Sequence, residues 1–105
     1  MILGLDVSTS ITGATVVDKD GKVIYTTAWD TRNKKHFPTL ISKATWIEER
    51  LIEIGKKYKV KQIYIEQSLQ SFRSGFSSAK TLSTLSRYNG IISWICYQVF
   101  HREPD

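Results

Sequence analysis

Two apolar runs in this chain each end in a carboxylate, and no other feature constrains the fold as tightly. Ile2-Leu3-Gly4-Leu5 leads into Asp6, and Ile63-Tyr64-Ile65 leads into Glu66. Short runs of this kind read as strands entering a core. A charge inside a buried strand is costly unless something pairs with it. Two such strands side by side would bring two like charges together and raise that cost. A divalent cation relieves both terms. The pattern therefore predicts adjacent strand ends whose acids converge on a metal ion.

The rest of the chain predicts one small α/β domain over residues 1–105, with one core. Residues 2–8 form the first strand. Thr9-Ser10 and Thr12-Gly13 read as a tight turn, and residues 14–18 as a second strand. Asp20-Gly21 is a hairpin signal, and residues 22–29 return as a third strand, completing an antiparallel meander. Asp18, Asp20 and Asp30 fit turns or surface positions.

Pro38 suits the first turn of a helix. Leu40, Ala44, Ile47, Leu51, Ile54 and Tyr58 then recur at steps of three and four, the apolar face of an amphipathic helix of about five turns. Lys43, Glu48, Glu49, Arg50, Glu53 and Lys56 take the other face. Val60 and Ile63 to Ile65 give a fourth strand ending at Glu66. Its continuous apolar character predicts a central strand covered on both faces. A polar loop over 67–77 precedes a second helix capped by Ser77 or Ser78. Ala79, Leu82, Leu85, Ile92, Ile95, Cys96 and Val99 supply its apolar positions. Gly90 in mid-helix predicts close packing against a neighbour, and Pro104 marks the helix end. The element order is βββ-α-β-α.

The longest apolar stretches fall far short of the roughly 20 residues of a membrane span. Met1 opens directly into a strand, with no signal-peptide pattern. Cys96 has no partner for a disulfide and no zinc-like spacing around it. Set among Trp94, Ile95 and Val99, it reads as a small buried hydrophobe. A reducing cytoplasm suits this composition. The charge balance, 15 Lys+Arg against 10 Asp+Glu for a net +5, favours a polyanionic partner.

As hard oxygen ligands, Asp6 and Glu66 suit Mg²⁺ or Mn²⁺. Phosphodiester hydrolysis by two metals typically uses three or four acids. Ser8, two residues past Asp6, is expected on the same strand face, within reach of a substrate phosphate or a metal-bound water. Asp6 taken alone would also fit a turn cap.

Leu3-Gly4-Leu5-Asp6-Val7-Ser8-Thr9-Ser10-Ile11-Thr12-Gly13 resembles the first motif of RuvC-like Holliday junction resolvases, in the RNase H-like nuclease superfamily. Ile65-Glu66-Gln67 resembles their second motif, and Ala79, Leu82, Leu85, Asn89-Gly90 and Ile91-Ile92 fit the helix that follows. The resemblance spans essentially the whole chain. It implies an RNase H-like mixed sheet whose final strand and helix are absent here. It also implies a homodimeric, Mg²⁺- or Mn²⁺-dependent endonuclease that cuts four-way DNA junctions, with Asp6 and Glu66 as two of its metal-binding acids. Dimerisation would run through the helix at about 78–101. Leu69, Phe72, Arg73 and Phe76, after the second acid, would open the junction, with Gln67 beside them; an apolar wedge unstacks bases at a branch point. Phe72 and Phe76 would equally suit the core. The family's further acids lie on a C-terminal helix. Glu103 and Asp105, the only acids after Glu66, are expected at the end of the second helix instead. A fragment of a longer protein is the expectation, with weak metal binding and poor cleavage by the chain as it stands.

Arg73, Lys80 and Arg87 are the basic residues expected nearest the acids, for phosphate contacts. Lys34, Lys35 and His36 form a second basic group, with His36 read as a surface residue. Lys56, Lys57, Lys59 and Lys61 form a third, which suits the dipole at the first helix's C-terminus. Two alternatives share parts of the pattern. One is a degenerate RNase H-like domain that binds branched nucleic acid without cutting. The other is a lobe of an actin-like ATPase or sugar kinase, whose phosphate turn would occupy residues 3–24.

Overall fold

The computed structural model describes residues 1–67 and 79–105. Strands β1 (Ile2–Val7), β2 (Ile11–Val17) and β3 (Val23–Asp30) form the meander, followed by helix α1 (Leu40–Lys57), strand β4 (Gln62–Gln67) and helix α2 (Ala79–Phe100). The result is an α/β fold with a four-stranded mixed sheet in the order β3-β2-β1-β4. β1 and β2 pair antiparallel, as do β2 and β3. β4 joins β1 in parallel. β3 and β4 point the same way at opposite edges, so the chain must cross the sheet between them, and α1 makes that crossing.

Both helices lie on one face of the sheet. Leu3, Leu5 and Val7 of β1, Ala14 and Val16 of β2, Trp29 of β3 and Ile63 of β4 are buried there. Ala44, Ile47, Leu51 and Ile54 of α1 meet them, as do Tyr88, Ile92, Ile95 and Cys96 of α2. Alternation along the strands sends Gly4, Asp6, Gly13, Thr15, Tyr64 and Glu66 to the other face. Tyr64 is 48% exposed. β4 is thus covered on one face only, not on both as its apolar run suggested. The run continues because Tyr64 is an amphipathic β-former that tolerates a half-wet surface.

Other boundaries moved for local reasons. β2 starts at Ile11 rather than 14, because the turn from β1 needs only Ser8–Ser10. The Ser8 hydroxyl oxygen closes that turn by accepting from the Ser10 N–H at 3.0 Å and the Ile11 N–H at 3.4 Å. In the β2–β3 hairpin, Asp18 Oδ1 accepts from the Asp20 and Lys22 N–H groups, each at 2.9 Å. Gly21 there has φ +82°, the left-handed region that glycine adopts freely. α1 is started by Thr39, not by Pro38. Thr39 and Ser42 form a reciprocal capping box. Lys56 and Lys57 occupy its last turn, where cations suit the helix dipole.

α1 and α2 meet at Gly55, where an added Cβ would lie 3.3 Å from the Phe100 ring. Gly90 has the opposite environment: it is exposed, and an added Cβ would meet nothing within 4 Å. The expected close neighbour for Gly90 is therefore not within the described residues. α2 stops at Phe100, four residues before Pro104. His101, at φ 58°, donates its N–H to Tyr97 O and closes the last turn in the left-handed conformation. No helix among the described residues is long and apolar enough to cross a membrane.

Burial pushes the Cys96 thiol from its ordinary 9.0 up to about 12, and the Tyr88 phenol from 10.0 up to about 12. Cys96 is therefore a packed thiol rather than a nucleophile. The folded chain holds these two protons more tightly than the unfolded chain does. Their stabilising contribution is complete below about pH 9 and is lost as pH rises toward 12. Urea midpoints should hold steady to pH 9 and fall beyond it. The fall should be shallower in Tyr88→Phe combined with Cys96→Ala.

Candidate metal and nucleic-acid site

β1 and β4 run in parallel register, with Asp6 opposite Glu66 and Gly4 opposite Tyr64. On the other flank Asp6 faces Gly13, which faces Ala28. One transverse row on the open face therefore reads Ala28, Gly13, Asp6, Glu66. The two carboxylates are neighbours on the same side of the sheet, with strand axes about 5 Å apart. Both are exposed. That corrects the premise that they sit inside buried strands: the face they point from carries no helix among the described residues. At about 5 Å in water two unit charges repel by only about 1 kcal/mol.

An open groove runs beneath this row, lined by Asp6, Glu66, Gly4, Gly13, Thr15 and Tyr64 among others. The small residues make it. A methyl group at Gly13 would sit 3.8 Å from Asp6 Cβ, so a longer side chain there would cover the carboxylate. Thr15 and Thr26 share a hydroxyl–hydroxyl hydrogen bond of 3.2 Å on the adjoining row.

Asp105 also lines this groove. It was expected at the end of the second helix. Instead its N–H donates to Ile63 O at 2.8 Å, which brings the last residue against β4. No sequence periodicity marks a two-residue edge contact, so this acid could not have been found from the pattern. Among the described residues, no three His, Cys, Asp or Glu side chains come together as a metal-binding group. The fit to Mg²⁺ or Mn²⁺ accordingly rests on the Asp6–Glu66 pair, two hard oxygen donors set side by side.

The turn that follows Asp6 is unusually well anchored. Thr31, fully buried, donates its hydroxyl to Thr9 O at 3.0 Å and Ser10 O at 3.1 Å, and its N–H to Ser10 O at 2.8 Å. Thr12, also fully buried, donates to Ser8 O at 3.1 Å. Lys43 reaches from the first turn of α1 and donates its Nζ to Thr9 O. No local pattern marks Thr31 or Lys43, because each meets the turn only through the tertiary fold. With its oxygen engaged in the turn, the Ser8 hydroxyl hydrogen has no acceptor among the described residues and is available to a ligand.

Lys80 and Arg87 are exposed on α2. Phe100, at the far end of α2, packs on Gly55 near the C-terminus of α1, and β4 begins at that same end. The start of α2 therefore lies toward the end of the sheet that carries Asp6 and Glu66. Gln67 closes β4 in register with Val7. Leu69, Phe72, Arg73 and Phe76, together with the Ser77 or Ser78 cap, lie outside the described residues. No family model, curated protein or solved structure matches the chain.

Thr31→Val keeps the shape but removes the hydroxyl that serves two carbonyls. It should cost about 1–2 kcal/mol in urea unfolding. The exposed Thr26→Val should stay within about 0.5 kcal/mol of the parent.

Proposed function

We propose that this chain is an RNase H-like, RuvC-like nuclease domain that hydrolyses phosphodiester bonds in four-way DNA junctions with Mg²⁺ or Mn²⁺. The observation that carries the reading is the parallel register setting Asp6 directly beside Glu66, exposed at the C-terminal ends of two neighbouring strands. The element order βββ-α-β-α agrees with the one the resemblance implies. The net charge of +5 suits a polyanionic substrate.

Asp6 and Glu66 would hold the metal. When bound, it supplies an activated water and stabilises charge on the leaving oxygen. The chain's own residues supply position. Thr31 and Lys43 fix the turn after Asp6, so the carboxylate keeps its place when a phosphate approaches. Lys80 and Arg87, both exposed, would contact the DNA backbone. Gly4 and Gly13 leave the groove open for it.

Homodimerisation is part of this proposal, and α2 has a surface that supports it. Trp94 is 61% exposed and Tyr97 43%. Their rings stack with centroids 6.1 Å apart. Gly90 lies one turn earlier on the same side, with open space where a side chain would be. A large aromatic beside a bare backbone position is a knob next to a hole, the form that helix pairing uses. A second reading has its own support: the described residues pair only two acids, which suits a domain that binds branched DNA without cutting it.

A synthetic four-way junction incubated with Mn²⁺ separates the readings. Slow, metal-dependent incision is expected, falling at least about a hundredfold in Asp6→Asn and in Glu66→Gln while junction binding persists. Incision unchanged in Asp6→Asn rejects that residue as a ligand. Binding without incision in the parent selects the non-cutting reading. In light scattering the parent should run as a dimer and Trp94→Ala with Tyr97→Ala as a monomer; an unchanged mass removes α2 as the interface.

A further inference from the structure

The basic residues outside α2 separate by end of the sheet. β1, β3 and β4 all run toward the end that carries Asp6 and Glu66. The segment after β3 therefore emerges at that end. Thr31 ties its start to the β1–β2 turn through Thr9 and Ser10. Phe37 ties its finish to α1, packing edge-on to Trp46 at 5.6 Å between ring centroids. Between these anchors Asn33 folds the chain over. Its side-chain oxygen accepts from the Lys35 N–H at 2.9 Å, and its carbonyl accepts from the Phe37 N–H at 2.8 Å. Lys34 and Lys35 are left exposed on a pinned loop, with no ion pair among the described residues. Arg32 differs. Its guanidinium grips Asp30 at 2.7 Å and holds that carboxyl down at about 2, so its charge is already matched.

The cluster from Lys56 to Lys61 is at the other end. The Met1 amino group donates to Lys59 O at 3.0 Å, and the Lys61 N–H donates to Met1 O at 2.8 Å. That fixes these lysines beside the start of β1, five residues from Asp6. Five strand residues span about 17 Å. The Debye length is only about 8 Å at physiological salt. A phosphate held at Asp6 and Glu66 is therefore screened from this cluster. Lys34 and Lys35 follow β3, two strands from β1, or about 10 Å across the sheet. Over that distance each DNA strand carries about three phosphates.

Resting on the nucleic-acid reading above, we infer that Lys34 and Lys35 form a phosphate-contact surface for a DNA arm lying across the strand ends. The arm passes over the acids between this loop and the N-terminal half of α2. It does not run down the strands to the Lys56–Lys61 cluster.

Fluorescence anisotropy with a labelled four-way junction, in EDTA and between about 50 and 200 mM salt, tests this. Each lost phosphate contact lowers the slope of log K against log salt by about 0.9. K34Q/K35Q should flatten the slope by about 1–2 and weaken binding about tenfold or more at the low-salt end. K56Q/K57Q should keep the parent slope. Circular dichroism should show both variants folded, since all four side chains are exposed. A parent slope in K34Q/K35Q, or an equal or larger loss in K56Q/K57Q, overturns the surface and leaves the nuclease reading standing. A parent chain that binds no junction even at low salt overturns both.

Discussion

The parallel pairing of β4 with β1 is the constraint on which the rest depends. It sets Asp6 beside Glu66, and it does so as a consequence of burial on the opposite face. Leu3, Leu5 and Val7 must enter the core with Ile63, so the alternate residues must leave it. A slip of one residue would turn the apolar set toward water and the acids toward the helices. The core therefore enforces the site: Asp6 and Glu66 cannot part without loss of the packing beneath α1 and α2.

Electrostatics then separates stability from function. Because the acids are exposed, their mutual repulsion is about 1 kcal/mol, small against the burial of the core beneath them. On the proposed reading, a cation at this pair would serve the chemistry, in a groove that Gly4 and Gly13 help to line. The polar investment lies elsewhere, in the turn after Asp6. Thr12, Thr31 and Lys43 satisfy three successive carbonyls there, from Ser8 to Ser10. Fully buried hydroxyls with good partners make a stiff turn, and a stiff turn holds the adjacent carboxylate in place.

Charge is organised by topology more than by number. Four basic residues between Lys56 and Lys61 make the densest run in the chain. Strand direction puts them at the far end of the sheet, where Lys56 and Lys57 meet the α1 dipole. The sparser Lys34 and Lys35 share an end with the acids because β3 runs parallel to β1. Exposed aromatics follow the same logic. Trp94 and Tyr97 belong to an apolar-looking helix, yet they face away from the sheet, since Tyr88, Ile92 and Ile95 already fill the side that packs.

Much of this was legible in the residues. Short β-type runs and the Asp-Gly turn located the meander, spacing of three and four located the first helix, apolar positions after a polar loop located the second, and apolar runs closed by acids located Asp6 and Glu66. These signals are local: each element carries its own period and its own punctuation. What the sequence could not decide was relational. Whether β4 is covered on one face or two depends on where the helices pack, so its continuous apolar run misled. Thr31 and Lys43 reach the β1–β2 turn across separations of 21 and 34 residues, which no window of sequence detects. Asp105 joins the groove through a single edge contact. Local patterning was enough to set the elements and to mark the two acids. Their being neighbours in register, open to water, came from the assembled fold, because strand order and direction follow from how the whole apolar surface is covered.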